Sequence, residues 1–400
     1  MKSSDNQSQI PTSAPDASQP AGTPASNPAI TDQHALALLV EILSTPSISR
    51  SERRCAEILS GRMVEMGYRA HIDESGSVVG TVGSERPDAV EIVLLGHIDT
   101  VPGEIPVRIE NGKLYGRGSV DAKGPLAAFA VAAARAKLPA NVRLRVIGAV
   151  EEEVASSAGA HHAAAMYRPV ACIIGEPSGV DGVTLGYKGR LLAELHITAA
   201  DAHSAGPEKT AAEYACEAWM SIEAAARAAK PEAMRVFDQL QSRLRNISCS
   251  DDGLTGRAVL SVSFRLPPGM TAADVQRLCL LATRDLGTQH AWSFSAPEIA
   301  IVSDRSNIVA RALGGAIRAA GMTPRMKLKT GTADMNIVGP IWNCPIVAYG
   351  PGDSSLDHTP AEHVEVAEYL KAITILVAAL ETMAVECAEP ATAPNGQPGK

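Results

Sequence analysis

Aromatic side chains make up only 4% of these 400 residues, so the core must be built from alanine and branched aliphatics. Cysteine is present but unorganised. The seven thiols, at 55, 172, 216, 249, 279, 344 and 387, are odd in number and contain no CxxC pair. That excludes a structural zinc knuckle and a complete disulfide framework, and it points to a reducing compartment. No apolar run is long enough for a membrane span, and residues 1–30 lack the apolar centre of a secretion signal. A cytoplasmic protein is expected, with no membrane partner. Positive charge is also wanting: the formal net charge of -8 works against nucleic-acid binding, which needs a basic surface to displace counterions. A cationic small substrate is compatible with it. No GxGxxG phosphate loop occurs either.

What is present suggests an α/β protein interrupted by a second unit. Residues 1–31, rich in Ser, Pro, Ala, Gln and Asn, and residues 386–400 are expected to be disordered tails. Between them, residues 32–188 and 303–385 alternate helical and strand periodicity. Residues 189–302 change character, with strands expected at Leu191–Ala199, Ala258–Leu266 and Pro297–Val302 and helices at Ala211–Ala229 and Ala272–Leu286. That order fits an inserted ferredoxin-like α+β domain.

Chemistry-bearing residues recur where strands should end. Glu91–Leu95 reads as a buried strand running into His97 and Asp99, which share a face if the strand persists. An imidazole there can take a metal while the carboxylate orients it. The glycines around Asp121 in GRGSVDAKG would let the backbone bring that carboxylate close to a ligand. Arg143–Val150 runs into Glu151, Glu152 and Glu153, and Val170–Ile174 into Glu176. Such strand ends are where α/β sheets carry ligand-facing loops. Two loop histidines, His203 and His358, and Asn246 say little by themselves.

Five motifs in order, GHIDTVP, GRGSVDAKG, EEE, IIGEPS and DHTPAE, make the chain resemble a family of zinc-dependent deacylases and peptidases. Acetylornithine deacetylase, succinyl-diaminopimelate desuccinylase and glutamate carboxypeptidases belong to it. The resemblance spans roughly Asp32 to Met383, and LGYKGR, KTGTADMN and YGPGDSSLDHTP are most similar to hydrolases that release lysine or ornithine from a carrier protein. It implies a two-domain metallopeptidase-like fold whose insert acts as lid and dimerisation domain. It also implies two divalent metal ions, zinc first, with cobalt or manganese as other choices. His97 and Glu176 would hold one ion, Glu153 and His358 the other, and Asp121 would bridge them. Asp99 would orient His97, Glu152 would be the general base, and His203 of a partner subunit would stabilise the oxyanion. Asn246, Arg265, Thr332 and Asp334 would contact the freed amino acid. Ala333, where relatives often have serine, Glu151, where many have aspartate, and the long N-terminal tail depart from the family pattern.

The reaction implied is amide hydrolysis in amino-acid biosynthesis, freeing lysine or ornithine from a small acyl group or an acidic carrier protein. Plain acetylornithine deacetylation, desuccinylation or dipeptide cleavage is the near alternative, and an inactive metal-binding relative the distant one. Retention of Glu152 beside all five ligand candidates speaks for an enzyme. Arg325, Lys327 and Lys329 alternate along a short strand and are expected to form one basic face, either a guarded sheet edge or a dock for an acidic carrier.

Overall fold

The computed structural model describes residues 30–201, 203, 205–230 and 232–388. The expected tails lie outside this range except at their inner ends. Thr31 caps the Asp32–Leu43 helix, and the last helix, Val366–Ala388, runs a little beyond the expected limit.

A nine-stranded mixed sheet forms the larger layer, and its centre is parallel. Val90–His97 pairs in parallel with Val142–Ala149 on one side and with Ala171–Ile174 on the other, and Ile346–Ala348 continues the same direction. These strands are buried on both faces. Ile92 and Leu94 face a core shared with the helices Asp32–Leu43, Arg53–Glu65, Lys123–Arg135, Ile308–Ala319 and Val366–Ala388. Val93 and Leu95 face the opposite core, packed by Ala158–Met166 and Met335–Trp342. Period-two alternation therefore feeds both sides of one sheet, which is why these strands read as continuous apolar runs. The Lys123–Arg135 helix is buried from Lys123 to Ala133, and its alanines replace the missing aromatics as close-packing surface.

The chain leaves this sheet after Gly182–Tyr187 and returns to it at Ile301–Val302. In between, a four-stranded antiparallel sheet has the order Gln241–Asp251, Thr255–Leu266, Gly189–Ala200, Gln289–Glu298. Helices Ala211–Ala228 and Ala272–Thr283 cover one face of it with a core of their own. This β-α-β-β-α-β order is ferredoxin-like. The fourth strand differs from expectation: it is Gln289–Glu298, whereas Ile301–Val302 belongs to the large sheet. The expected strand at Pro297–Val302 thus covers the crossover between the two sheets. No described helix is long and apolar enough to cross a membrane.

The expected basic face on Arg325–Lys329 is broken up. A register shift separates Lys327 from Leu328 where this strand pairs with Gly182–Tyr187, so alternation does not carry through. Arg325 pairs with Asp181 and Lys327 donates to the Ser178 carbonyl. Lys329 alone of the three lines a cavity, described next.

Candidate metal centre

His97, Glu152, Glu153 and Glu176, at or just past the carboxyl ends of parallel strands, converge with the loop residues Asp121 and His358 at the usual position of an α/β ligand crevice. A cavity of about 710 Å³ there is lined by Asp121, Glu152, Glu153, Glu176 and His358 on the large-sheet side. His97 lies just beneath it, 1% exposed, as the last residue of its strand. Its Nδ1 is 3.0 Å from the Asp99 backbone carbonyl, and that bond assigns the ring proton to Nδ1. In the neutral ring Nε2 is then a lone pair, and it is buried without a hydrogen-bond partner.

Asp121 stands between two imidazoles. His97 Nε2 is 3.4 Å from its Oδ1, and His358 Nε2 is 3.0 Å from its Oδ2. Glu176 Oε1 lies 3.9 Å from His97 Nε2, and Glu153 Oε1 lies 3.0 Å from His358 Nε2. Two imidazole–carboxylate groups therefore share one central carboxylate. Among the described residues, His97, Asp121 and Glu153 bring one ligand atom each within 4.8 Å of one another. The donor set, nitrogen and carboxylate oxygen without thiolate, fits zinc, cobalt or manganese.

Electrostatics agree with a cation site. Burial and the Asp121 charge push the Glu176 carboxyl up to about 8, against the opposing pull of Lys329 and His97. Burial likewise raises Glu152 well above the ordinary carboxylate range, with Glu176, Asp334 and Glu153 adding to it. Hydrogen bonds to Asp121 and Glu153 raise His358 to about 10. Left to protein groups alone, the three glutamates hold protons more tightly than usual, while Asp121, hydrogen-bonded to His358 and His97, is held below the ordinary carboxylate range despite its burial.

Asp99 is placed to do more than orient a ring. It is fully buried, and its carboxylate lies 3.4 Å from His97 Nδ1. Its Oδ1 accepts the backbone N–H of Glu152 at 3.0 Å, and its Oδ2 accepts that of Glu153 at 3.0 Å and the Ser49 hydroxyl at 2.7 Å. One carboxylate thus fixes the turn that presents both glutamates. Glu151, at φ 61°, provides the sharp bend before them.

The remaining expected site residues separate into two groups. Arg265 and Thr332 line the cavity and are joined, Arg265 Nη1 donating to Thr332 Oγ1 at 2.8 Å. Asp334 lies beneath the lining at 3% exposure, with Oδ2 unpartnered, at the start of the Met335–Trp342 helix. Asn246 and His203 are not cavity residues in this chain. Asn246 is exposed on the edge strand Gln241–Asp251, where a register shift between Leu244 and Asn246 turns Arg245 to the cavity instead. His203 is exposed on the loop after Gly189–Ala200, its Nδ1 accepting from the Ala205 N–H at 3.1 Å.

Four cavity residues carry no role expected from the sequence: Tyr187, Arg190, Arg245 and Asp357. Tyr187 ends the Gly182–Tyr187 strand, so the strand-end rule that found Glu176 would have found it had that strand been recognised.

The family model for Peptidase family M20/M25/M40 matches residues 93–382. A LysW-lysine hydrolase of Deinococcus radiodurans is 42% identical over 354 residues, covering 87% of this chain and 96% of the relative. A putative LysW-lysine/LysW-ornithine hydrolase of Thermococcus kodakarensis is 38% identical over 355 residues, covering 88% and 93%. Among solved structures, an M20 family metallo-carboxypeptidase from Sulfolobus solfataricus superposes with a TM-score of 0.73 at 19% identity, covering 88% of this chain and 99% of that one. The family model spans most of the chain and the fold agrees with it: this chain belongs to Peptidase family M20/M25/M40.

Proposed function

We propose that the chain is a metal-dependent amidohydrolase of amino-acid biosynthesis that frees lysine, or ornithine, from an acylated α-amino group. The acyl part is a carrier protein of the kind named in its Deinococcus and Thermococcus relatives. The observation that carries this reading is Asp121, whose two oxygens face different imidazoles at 3.4 and 3.0 Å. A carboxylate so placed can serve two cations at once. His97 and Glu176 would hold one ion and Glu153 and His358 the other, zinc being the first choice.

Two bound divalent ions would polarise the scissile carbonyl and acidify a water. Glu152 then acts as base. Its side chain lines the cavity, its backbone N–H is fixed by Asp99, and its high proton affinity suits a group that takes a proton and returns it to the leaving amine. His203 lies outside the cavity of its own chain, so its proposed role as oxyanion donor requires a partner subunit, and the working enzyme is a cytoplasmic homodimer. Arg265, Thr332, Asp334 and Asn246 are the proposed substrate contacts, Asn246 also from the partner. Arg190, Arg245, Arg265 and Lys329 line the mouth with positive charge, in keeping with an acidic carrier.

The test is release of lysine and ornithine from carrier-linked and N-acetyl substrates by wild type and Glu152→Ala. Carrier-linked turnover that vanishes in the variant supports the reading. Turnover of acetyl substrates alone would keep the mechanism and discard the carrier, and no turnover with two ions bound would discard the substrate.

A further inference from the structure

Two charged residues of the motifs, Arg117 of GRGSVDAKG and Glu362 of DHTPAE, have no role in the chemistry above. Glu362 is fully buried. Its Oε1 accepts the backbone N–H groups of Gly118, Val120 and Asp121 at 3.0, 3.0 and 3.1 Å. Its Oε2 accepts from Arg117 Nη1 at 2.6 Å. Arg117 reaches two further loops, donating from Nε to the Gly103 carbonyl at 2.9 Å and from Nη1 to the Thr359 carbonyl at 3.3 Å.

A buried carboxylate is unfavourable unless paired and hydrogen-bonded, and here its partners are the loop that carries Asp121 and the arginine that grips the loop after His358. His358 sits at φ 60°, a left-handed conformation that a non-glycine residue keeps only where its surroundings over-determine it. The carbonyl Arg117 holds belongs to the next residue. The two loops so joined present the ligand atoms that lie 3.0 Å apart, Asp121 Oδ2 and His358 Nε2.

On the strength of the metal-binding reading above, we propose that the Arg117–Glu362 pair is a positioning clamp. It locks the Asp121 loop to the His358 loop and sets the spacing of the cation site shared by Asp121, Glu153 and His358. Neither residue touches substrate in this role. Glu362→Gln keeps the shape but makes one oxygen an N–H donor, which must then face either Arg117 or the three backbone donors. Arg117→Lys keeps the charge but cannot span Glu362 and two carbonyls at once.

The test is calorimetric titration of metal-free protein with Zn²⁺ alone, comparing wild type, Glu362→Gln, Arg117→Lys and His358→Ala. Wild type should take up two ions, and His358→Ala identifies the step belonging to its site. In Glu362→Gln that same step should weaken by about tenfold or more, as loss of a group that orients a ligand does, while the other step changes less. Arg117→Lys should show a smaller loss at the same step. A lower melting temperature of the metal-free protein with both affinities unchanged would make the pair a structural brace and overturn the clamp. Should Glu362→Gln not fold, Arg117→Lys with wild-type affinities overturns it equally. Wild type that takes up no Zn²⁺ overturns the metal reading itself.

Discussion

The wall of the cavity that carries Asp121, Glu152, Glu153, Glu176 and His358 and the wall that carries Arg190, Arg245 and Arg265 are held in different ways. On the first, His97, Glu152, Glu153 and Glu176 stand at or just past the ends of strands buried on both faces, and buried carboxylates tie down the loops around them: Asp99 holds Glu152 and Glu153, and Glu362 holds Asp121. On the second, arginines project from a thinner antiparallel sheet with one helical layer. Arg190 is braced by Glu298, but Arg245 is exposed beside a strand irregularity. On the proposed function, the difference follows from what each wall would do. Bond-making chemistry fails when a group is misplaced by about 1 Å. A field that draws in an anionic partner acts over several ångströms and tolerates looseness.

The sharpest way to test the division is at the base. Glu152→Gln should lower kcat by about 10²–10⁴-fold while leaving Zn²⁺ uptake and the melting temperature near wild type, since the amide keeps the backbone bond to Asp99. Coupled kinetics and metal titration read both quantities. An equal loss of metal would make Glu152 a ligand and erase the distinction between the walls.

Core truncation probes the same contrast from beneath. Leu94 and Leu260 are both completely buried, the first three residues before His97 and the second in the separate core of the inserted sheet. Either Leu→Ala change should destabilise by about 2–5 kcal/mol in urea unfolding. Only Leu94→Ala should also weaken Zn²⁺ binding. If Leu260→Ala weakens it as much, the two cores do not act separately.

How far these walls could be read beforehand differs for the same physical reason. His97, Glu152, Glu153 and Glu176 could be singled out because buried parallel strands are apolar runs and these residues stand at or just past their ends, whereas Asp121 and His358 lie on loops away from such ends and took their expected roles from the motifs alone. Gly182–Tyr187 escaped notice although it is equally buried, since two glycines and a threonine dilute its run. The helix Met335–Trp342 was hidden by its internal Pro340, and Ala158–Met166 by an alanine-rich sequence with little amphipathic contrast. On the insert, Gln241–Asp251 is a polar edge strand, and nothing in its residues announces the register shift that brings Arg245, rather than Asn246, to the cavity. Spacing placed Asp99 beside His97 but could not reveal its bonds to the Glu152–Glu153 turn, fifty residues away along the chain.

A smaller effect is expected from the charge that separates the walls. Arg245→Ala should raise KM for a carrier-linked substrate by about tenfold at low salt, with kcat little changed and the difference shrinking as salt rises. Arg325→Ala should leave KM unchanged, because that side chain is already paired with Asp181. Equal KM effects for carrier-linked and N-acetyl substrates would assign Arg245 to the amino acid rather than the carrier.

The smallest effect tests whether the insert's stability is local. Thr210 caps the Ala211–Ala228 helix in a reciprocal pair with Glu213, at the end of the loop that bears His203. Thr210→Ala should cost about 1 kcal/mol of stability at neutral pH. Glu213's carboxyl is held below its ordinary value by the Thr210 backbone N–H and, second, by its hydroxyl. A carboxylate with a lowered folded pKa stabilises above its unfolded pKa, and that contribution disappears as pH falls through the folded value. The gap between wild type and variant, measured by urea unfolding of metal-free protein, should therefore be widest near pH 7 and narrow as the pH falls below the ordinary glutamate range and through the lower folded value. A gap independent of pH would mean that the Thr210 hydroxyl caps the helix without help from Glu213. A gap that appears equally in Zn²⁺ affinity would mean that the insert and the metal wall are coupled, and the contrast between a rigid wall and a tolerant one would have to be abandoned.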